Sequence, residues 1–439
     1  MVWAELGAML RLALPIVFGQ LAIVGQNTAL AVLSGHLGPD VLGAVGVGTG
    51  MWSLGLMTLI GLQMAVSPSV AHRRGAGAHA EIGAVFAASC WIGVVAGCAA
   101  GAVIWVAAPW VIAAVGVVGL LQAGAVSVAR AASFALPALG LLLACRGLWE
   151  GCGRTRPTLA IGVLGLVLLV PVGWALMYGR LGVAPMGARG AGVAEAVVTW
   201  IDAAVALGFV WFARRRLHAG GRAWPRGDVM AELLHLGVPM AGSVLLEVGL
   251  FSAVGMLAAR FGAVGASAHQ VALNLASISF MVPLGLGMAT TVRVGHAMGG
   301  HDRAGARRSA LVGMGLALAS QAMAACAMLT LPLTLAGFYT GDAAVLGAAV
   351  MLLRYAAAFQ LFDGLQVVSI GALRGLRDAR VPVAITGFSY WGVGLPLGYT
   401  LAFTWGVGLS GLWIGFVAGL AVAAGLLCTR FFLLLRHAG

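Results

Sequence analysis

The chain has 439 residues, 61% of them hydrophobic and only 9% charged, with a mean hydropathy of +1.02. A soluble domain of this length could not cover so much apolar surface without aggregating, which excludes a soluble protein. The net charge of +12 would suit a nucleic-acid partner, but all 25 basic residues are Arg and twenty of them gather at one set of loops, the pattern of membrane topology and not of nucleic-acid binding.

Twelve apolar stretches follow one another, at approximately 9–33, 41–66, 82–108, 123–149, 157–179, 190–213, 230–259, 267–292, 309–335, 345–373, 381–404 and 409–433. Each is long enough to cross a hydrocarbon core of roughly 30 Å as a helix. They are continuously apolar and not alternating, so helices are expected and not a barrel. The first stretch lacks a small-residue cleavage site and has an equivalent in mid-chain, so it is read as a retained span. Arg11, Arg73, Arg74, Arg146, Arg154, Arg156, Arg214–Arg216, Arg222, Arg226, Arg293 and the later loop arginines lie on one side, while loops 34–40, 109–122, 336–344 and 404–408 contain none. By the positive-inside rule both termini and the basic linker face the cytoplasm. The 67 glycines suit helices that pack backbone to backbone, and the six cysteines, scattered singly in apolar stretches, read as packing residues.

Residues 12–80 recur 224 positions later: Pro15 as Pro239, Gly38 as Gly262, Gly61-Leu62 as Gly285-Leu286, His72 as His296. Further on the offset drifts, and Pro171 answers to Pro396 and Gly187 to Gly408. The expected architecture is an all-α integral membrane protein with twelve transmembrane helices in two parallel six-helix repeats: 1–213 (spans 1–6), a cytoplasmic linker 214–229, and 230–439 (spans 7–12). Pro137, Pro171, Pro283 and Pro396 fall inside spans, where each frees a carbonyl and bends its helix.

The two copies differ in their carboxylates. Glu247 lies about halfway along span 7 and Asp363 comparably deep in span 10, where the first copy has Ile23 and Ala138. A charge at that depth costs on the order of 3 kcal/mol even on the lenient insertion scale, so it persists to bind a cation, hold a proton or pair with Arg. The pairing alternatives are Arg354 and Arg260. Phe359, Asp363 and Gln366 share one helical face of span 10, and Ser243 and Glu247 one face of span 7. Gln270, Asn274 and Ser277 share a face of span 8, as interhelical glue or as the lining of a wet cavity. Phe280 and Phe359 offer ring faces to a cation, or merely pack. In the first copy Glu195 and Asp202, seven apart on span 6, either pair with Arg130 of span 4 or form a second protonation site. No phosphate loop, His-based metal motif or nucleophile–base constellation is evident, so no enzyme is expected, and no metal beyond Na⁺ at Glu247 and Asp363.

The chain resembles the MATE (multidrug and toxic compound extrusion) transporters of the NorM-like bacterial branch over nearly its whole length. The resemblance rests on LGVPMAGSVLLEVGLF (236–251), GASAHQVALN (265–274), FMVPLGLGMATTVRVGHAMG (280–299) and FQLFDGLQVVSIGALRGLRD (359–378). It implies two six-helix lobes in a V, alternating access, and export of cationic or amphipathic drugs in exchange for Na⁺ or H⁺. It also implies that Glu247 and Asp363 form the acidic pair of the C-lobe cation site, supported by Gln270, Asn274, Phe280, Phe359 and Gln366. Phe359 falls where close relatives have Tyr. The family's span-1 Asp is replaced by Leu30, and neighbouring Gln26 and Asn27 cannot titrate, so Glu195 and Asp202 are candidates to compensate. The expected protein is a monomeric, multi-pass efflux antiporter of a bacterial inner membrane, with no cofactor besides its coupling ion and no nucleic-acid partner. A flippase for a lipid-linked saccharide is the alternative, disfavoured because spans 1, 2, 7 and 8 have almost no interior Arg for a pyrophosphate.

Overall fold

A computed structural model describes residues 2–180, 182, 184–217 and 226–437; the linker residues 218–225, Arg222 among them, lie outside that set. Among the described residues every regular element is helical. Among the described residues, ten helices are long and apolar enough to cross a membrane, or eleven if one bent pair counts as a single span. The chain divides into two compact units, 18–241 and 1–17 with 242–439. The change-over falls inside α1 (Val2–Gly35) and α9 (Gly227–Ala259), two residues beyond Pro15 and Pro239, and not in the linker 214–229.

Unit 18–241 holds α2 (Pro39–Gln63), α3 (Val66–Gly75), α4 (His79–Ala114), α5 (Gly119–Ser133), α6 (Ala135–Gly151), α7 (Arg156–Tyr178) and α8 (Ala188–Ala213). The stretch read as one span at 123–149 is bent by 41° between α5 and α6. Pro137 explains the bend, since it has no N–H to offer the Ser133 carbonyl and its ring crowds that turn. Trp52, Leu59, Ile104 and Leu136 form one buried cluster, and Leu30, Val45, Leu169 and Met177 another. Leu30 is thus committed to apolar packing. At the start of α9, Glu232 takes a two-pronged bond from Arg73 (2.9 and 2.7 Å), and Arg73 also reaches Glu81 at 3.1 Å. Arg73 therefore does more than mark topology.

The other unit holds α10 (Gly262–Gly299), α11 (Arg303–Thr330), α12 (Pro332–Gly337), α13 (Ala343–Gly375), α14 (Arg380–Gly387), α15 (Leu395–Tyr399) and α16 (Leu409–His437). The stretch read as a span over 309–335 ends early, at Leu331, because Pro332 starts a new short helix and cannot donate back to Met328. The stretch 381–404 is helical throughout but widens twice into π turns, Phe388–Gly394 and Thr400–Thr404, on either side of the α15 segment that carries Pro396. π turns replace the i→i+4 ladder where it is locally broken and often mark functional positions. At the start of α1, Glu5 accepts two bonds from Arg293 (2.9 and 2.5 Å) and one from Ser309 (2.7 Å). α10 and α13 touch backbone to backbone, since a Cβ on Gly371 would strike the carbonyl of Gly287.

The repeat is visible in the backbone itself. Positive φ occurs at Gly38 and Gly262, at Gly187 and Gly408, and at Gly77 and Gly153, whose counterparts 224 residues on are His301 (φ 57°) and Arg377 (φ 62°). The cysteines fit the packing expectation unevenly: Cys145 and Cys152 are buried, but Cys98 and Cys326 are exposed.

Candidate functional site

α13 starts cleanly, with the Asp342 carboxylate accepting the Val345 N–H at 2.9 Å. It carries Asp363 inward, 2% exposed. Glu247 on α9 is half-buried and lies within electrostatic reach of Asp363, of Arg374 and of Tyr390. Arg374 is on the Asp363 face of α13, about three turns further on. Tyr390 belongs to the first π turn and is buried beside the Gln366 side chain. The next residue, Trp391, donates its indole N–H to the Leu246 carbonyl at 3.1 Å, which fastens the π turn to α9 next to Glu247.

Among the described residues, Asp363 Oδ1 is buried without a hydrogen-bond partner, and the Gln366 amide and the Tyr390 hydroxyl beside it have none outside that pair. Buried polar atoms are nearly always paired, and an unpaired cluster demands a functional account. Two carboxylates, a phenol and an amide oxygen supply the oxygen donors that hard cations prefer, and each carboxylate can instead take a proton. Neither arginine weighed as a partner serves: Arg260 lies over the Phe403 ring, 4.5 Å from its centroid, and Arg354 is exposed.

The other expected residues are placed less centrally. Phe359 is buried among Phe251, Trp413 and Phe416, with ring centroids 6.2, 5.9 and 5.9 Å away. Gln270 is exposed, Phe280 is half-buried, and Asn274 turns its amide onto its own helix at the Gln270 carbonyl, 3.0 Å. A polar chain that sequence reading did not single out links α11, α13 and α10: Gln321 donates to Gln360 at 2.8 Å, and Gln360 in turn bonds Ser279. Tyr390 and Arg374 also escaped notice. Tyr390 is one of five tyrosines in the chain, which was the available signal, but its inward aim depends on the π turn.

Unit 18–241 brings its own two carboxylates together. Asp202 is buried and within electrostatic reach of Glu195. Asp202 Oδ2 and Gln26 Nε2 both lie against Gly165 of α7, where a Cβ would meet them at 2.5 and 2.7 Å. Gln26 also donates to the Gly162 carbonyl at 3.2 Å, and Asp202 Oδ1 has no partner among the described residues. The alternative pairing with Arg130 is not made: that guanidinium donates to the Trp105 carbonyl at 3.0 Å and lies over the Trp105 ring. Among the described residues no three His, Cys, Asp or Glu side chains gather as a metal site.

The model of the MatE family matches residues 15–175 and again 239–400, the two copies of the repeat. The chain belongs to the MatE family. It is 40% identical over 424 residues to a probable multidrug resistance protein NorM of Xanthomonas axonopodis pv. citri, covering 96% of this chain and 92% of that protein. It is 36% identical over 437 residues to the multidrug resistance protein PmpM of Pseudomonas aeruginosa, covering 97% and 91%. These relatives place it in the NorM-like bacterial branch of the MatE family. Among solved structures, the eukaryotic MATE transporter AtDTX14 superposes with a TM-score of 0.89 at 20% identity, covering 98% of this chain and 96% of that one. A MATE structure in the bent conformation superposes at 0.90 and 20% identity, covering 98% and 95%. At that identity the likeness establishes the MatE fold alone. Members of the MatE family are transporters and not enzymes.

Proposed function

We propose that the chain is a multidrug efflux antiporter of the bacterial inner membrane, with cytoplasmic termini, exporting cationic or amphipathic compounds in exchange for Na⁺ or H⁺ at Glu247 and Asp363. The observation that carries the reading is the buried, unpaired Asp363 carboxylate with Glu247, Gln366 and Tyr390 around it. The multidrug resistance names of relatives that match almost end to end support the drug cargo. A cation or proton arriving at the pair neutralises it, and this biases the conformational equilibrium to the extent that the ion binds the two states unequally. Glu195 and Asp202 favour a second, proton-coupled reading, since they too are paired with each other and not with an arginine.

The test is efflux of ethidium from cells expressing wild type, Glu247→Gln or Asp363→Asn. Both variants are expected to lose most export, and wild-type efflux in both would overturn the assignment. Imposed Na⁺ or H⁺ gradients in proteoliposomes identify the coupling ion.

A further inference from the structure

Five arginines stand away from the Arg-rich loops: Arg130, Arg180, Arg189, Arg260 and Arg354. Topology does not account for them. Arg180 lies over the Trp174 ring and Arg260 over Phe403, and Arg354 is exposed. Arg130 and Arg189 both line one open cavity of about 970 Å³ between α4, α5 and α8 of unit 18–241. Among the described residues no Asp or Glu lines this cavity, so they give it two positive charges and no counter-charge.

The walls explain what the charges are for. Arg189 is the second residue of α8, at the end of the helix that leads away from the linker, while Arg130 lies roughly 16 Å along α5 at 1.5 Å per residue. One cation therefore sits at the rim and the other deep in a span. Arg130 lines the cavity while its Nε–H bonds the Trp105 carbonyl and one face lies on the Trp105 ring, contacts that do not use its terminal amino groups. Phe134, at the bend between α5 and α6, lines the cavity, and Trp200 of the facing wall donates to its carbonyl at 3.0 Å. Besides the arginines the lining is apolar or small, with Trp105, Phe134, Val197 and Trp200 the larger side chains and Gln122 and Ser127 the polar exceptions. Phe134, Val197 and Trp200 remain largely exposed, so the cavity is open along an apolar flank.

A pair of guanidinium groups at two depths, on an apolar flank of a membrane helix bundle, matches a molecule with an anionic head and a hydrocarbon body. We infer that this cavity binds an anionic phospholipid, its phosphate held by Arg130 and Arg189 and an acyl chain laid along Val197, Trp200 and Ile201. Neither Glu195 nor Asp202 lines the cavity, although both lie on α8 beside its lining residues, and the proposal does not depend on the transport reading.

The experiment uses the full chain, purified and delipidated in a neutral detergent, titrated with phosphatidylglycerol or phosphatidylethanolamine and followed by native mass spectrometry. Wild type is expected to retain phosphatidylglycerol several-fold better than phosphatidylethanolamine. Arg130→Gln and Arg189→Gln are each expected to lower that retention about fivefold, the effect of one arginine at a membrane surface. Arg180→Gln, on Trp174 and outside the cavity, is expected to change nothing. Size-exclusion profiles check folding, and Arg189→Gln at its exposed helix end carries the test if Arg130→Gln fails to fold. Equal retention of the two lipids, or unchanged retention in Arg189→Gln, overturns the proposal. So does displacement of bound phosphatidylglycerol by millimolar inorganic phosphate, which would make the occupant a soluble anion.

Discussion

Asp363 and Arg374 lie on one face of α13 about three turns apart, and Glu247 on α9 is within electrostatic reach of both. The arrangement sets a fixed positive charge beside one carboxylate of the candidate cation site and leaves the other without one. A cation entering at Glu247 is then attracted by two carboxylates and repelled by Arg374. Arg374→Gln removes the repulsion, which at an effective dielectric of about 20 is worth on the order of 2 kcal/mol at this range. The half-saturating cation concentration for drug efflux in proteoliposomes is expected to fall by up to roughly thirtyfold, while maximal turnover falls because release slows. An unchanged half-saturation would assign Arg374 to packing alone.

Tyr390→Phe isolates the hydroxyl. The ring stays to fill the buried space, and only the oxygen that stands beside Gln366 near both carboxylates is lost. Because that hydroxyl has no other hydrogen-bond partner among the described residues, its removal should leave thermal stability within about 1 kcal/mol of wild type. Efflux at subsaturating coupling ion is expected to drop roughly three- to tenfold, equal to a lost ligand or hydrogen bond of about 1 kcal/mol. Wild-type efflux would remove Tyr390 from the site.

What could be read from the residues alone follows from the physics of each feature. The apolar spans and the repeat were legible because hydrocarbon thickness and backbone turns constrain composition directly, and both matched copies of the MatE family fall on them. Glu247 and Asp363 stood out because charge in a span is expensive. Arg374 did not, since it lies in the last turn of α13 among the loop arginines and declares itself only through its neighbour. Tyr390 required the π turn, which shifts residues around the helix axis by an amount no fixed periodicity anticipates. The fate of Arg130 was likewise hidden. Sequence spacing left a carboxylate partner open, whereas α4 offered a carbonyl and an indole ring instead.

The contact between Gly287 and Gly371 makes a stability prediction. A methyl group on Gly371 would also lie 2.9 Å from the carbonyl carbon and 3.0 Å from Cα of Gly287, and backbone cannot yield as a side chain can. Gly371→Ala should therefore destabilise by about 1–3 kcal/mol, the usual cost of overpacking, and lower the thermal midpoint in detergent. Gly425→Ala on α16, with nothing within 4 Å of its added Cβ, serves as the control and should lose nothing.

The backbone pairs tell a related story. Gly77 (φ 72°) and His301 (φ 57°) occupy equivalent left-handed turns, but only the first has the residue that adopts this conformation without strain. His301→Gly should relieve part of the ~1–2 kcal/mol left-handed penalty, giving a net gain of about 1 kcal/mol or less after the entropy of a freer unfolded chain. Gly77→Ala should cost about 1 kcal/mol by the same reasoning. Equilibrium unfolding of the two variants compares the turns directly, and a loss of stability in His301→Gly would mean that the imidazole makes a compensating contact.

The two carboxylates of α8 allow the coupling ion to be traced to one unit. Asp202 shares the space beside Gly165 with Gln26, an amide that can hydrogen-bond a carboxyl group in either protonation state but cannot neutralise it. With Arg130 committed to Trp105, the charge of the pair must be relieved by a proton or a cation. If protons act here, Asp202→Asn should abolish uptake driven by a pH gradient in sodium-free proteoliposomes while sparing drug binding, and Glu195→Gln should reduce it. Asp363→Asn would then leave part of the proton-driven flux. If instead Asp202→Asn transports like wild type under a pH gradient and Asp363→Asn does not, the coupling lies wholly with Glu247 and Asp363, and Asp202 is held only to position α8 against α7.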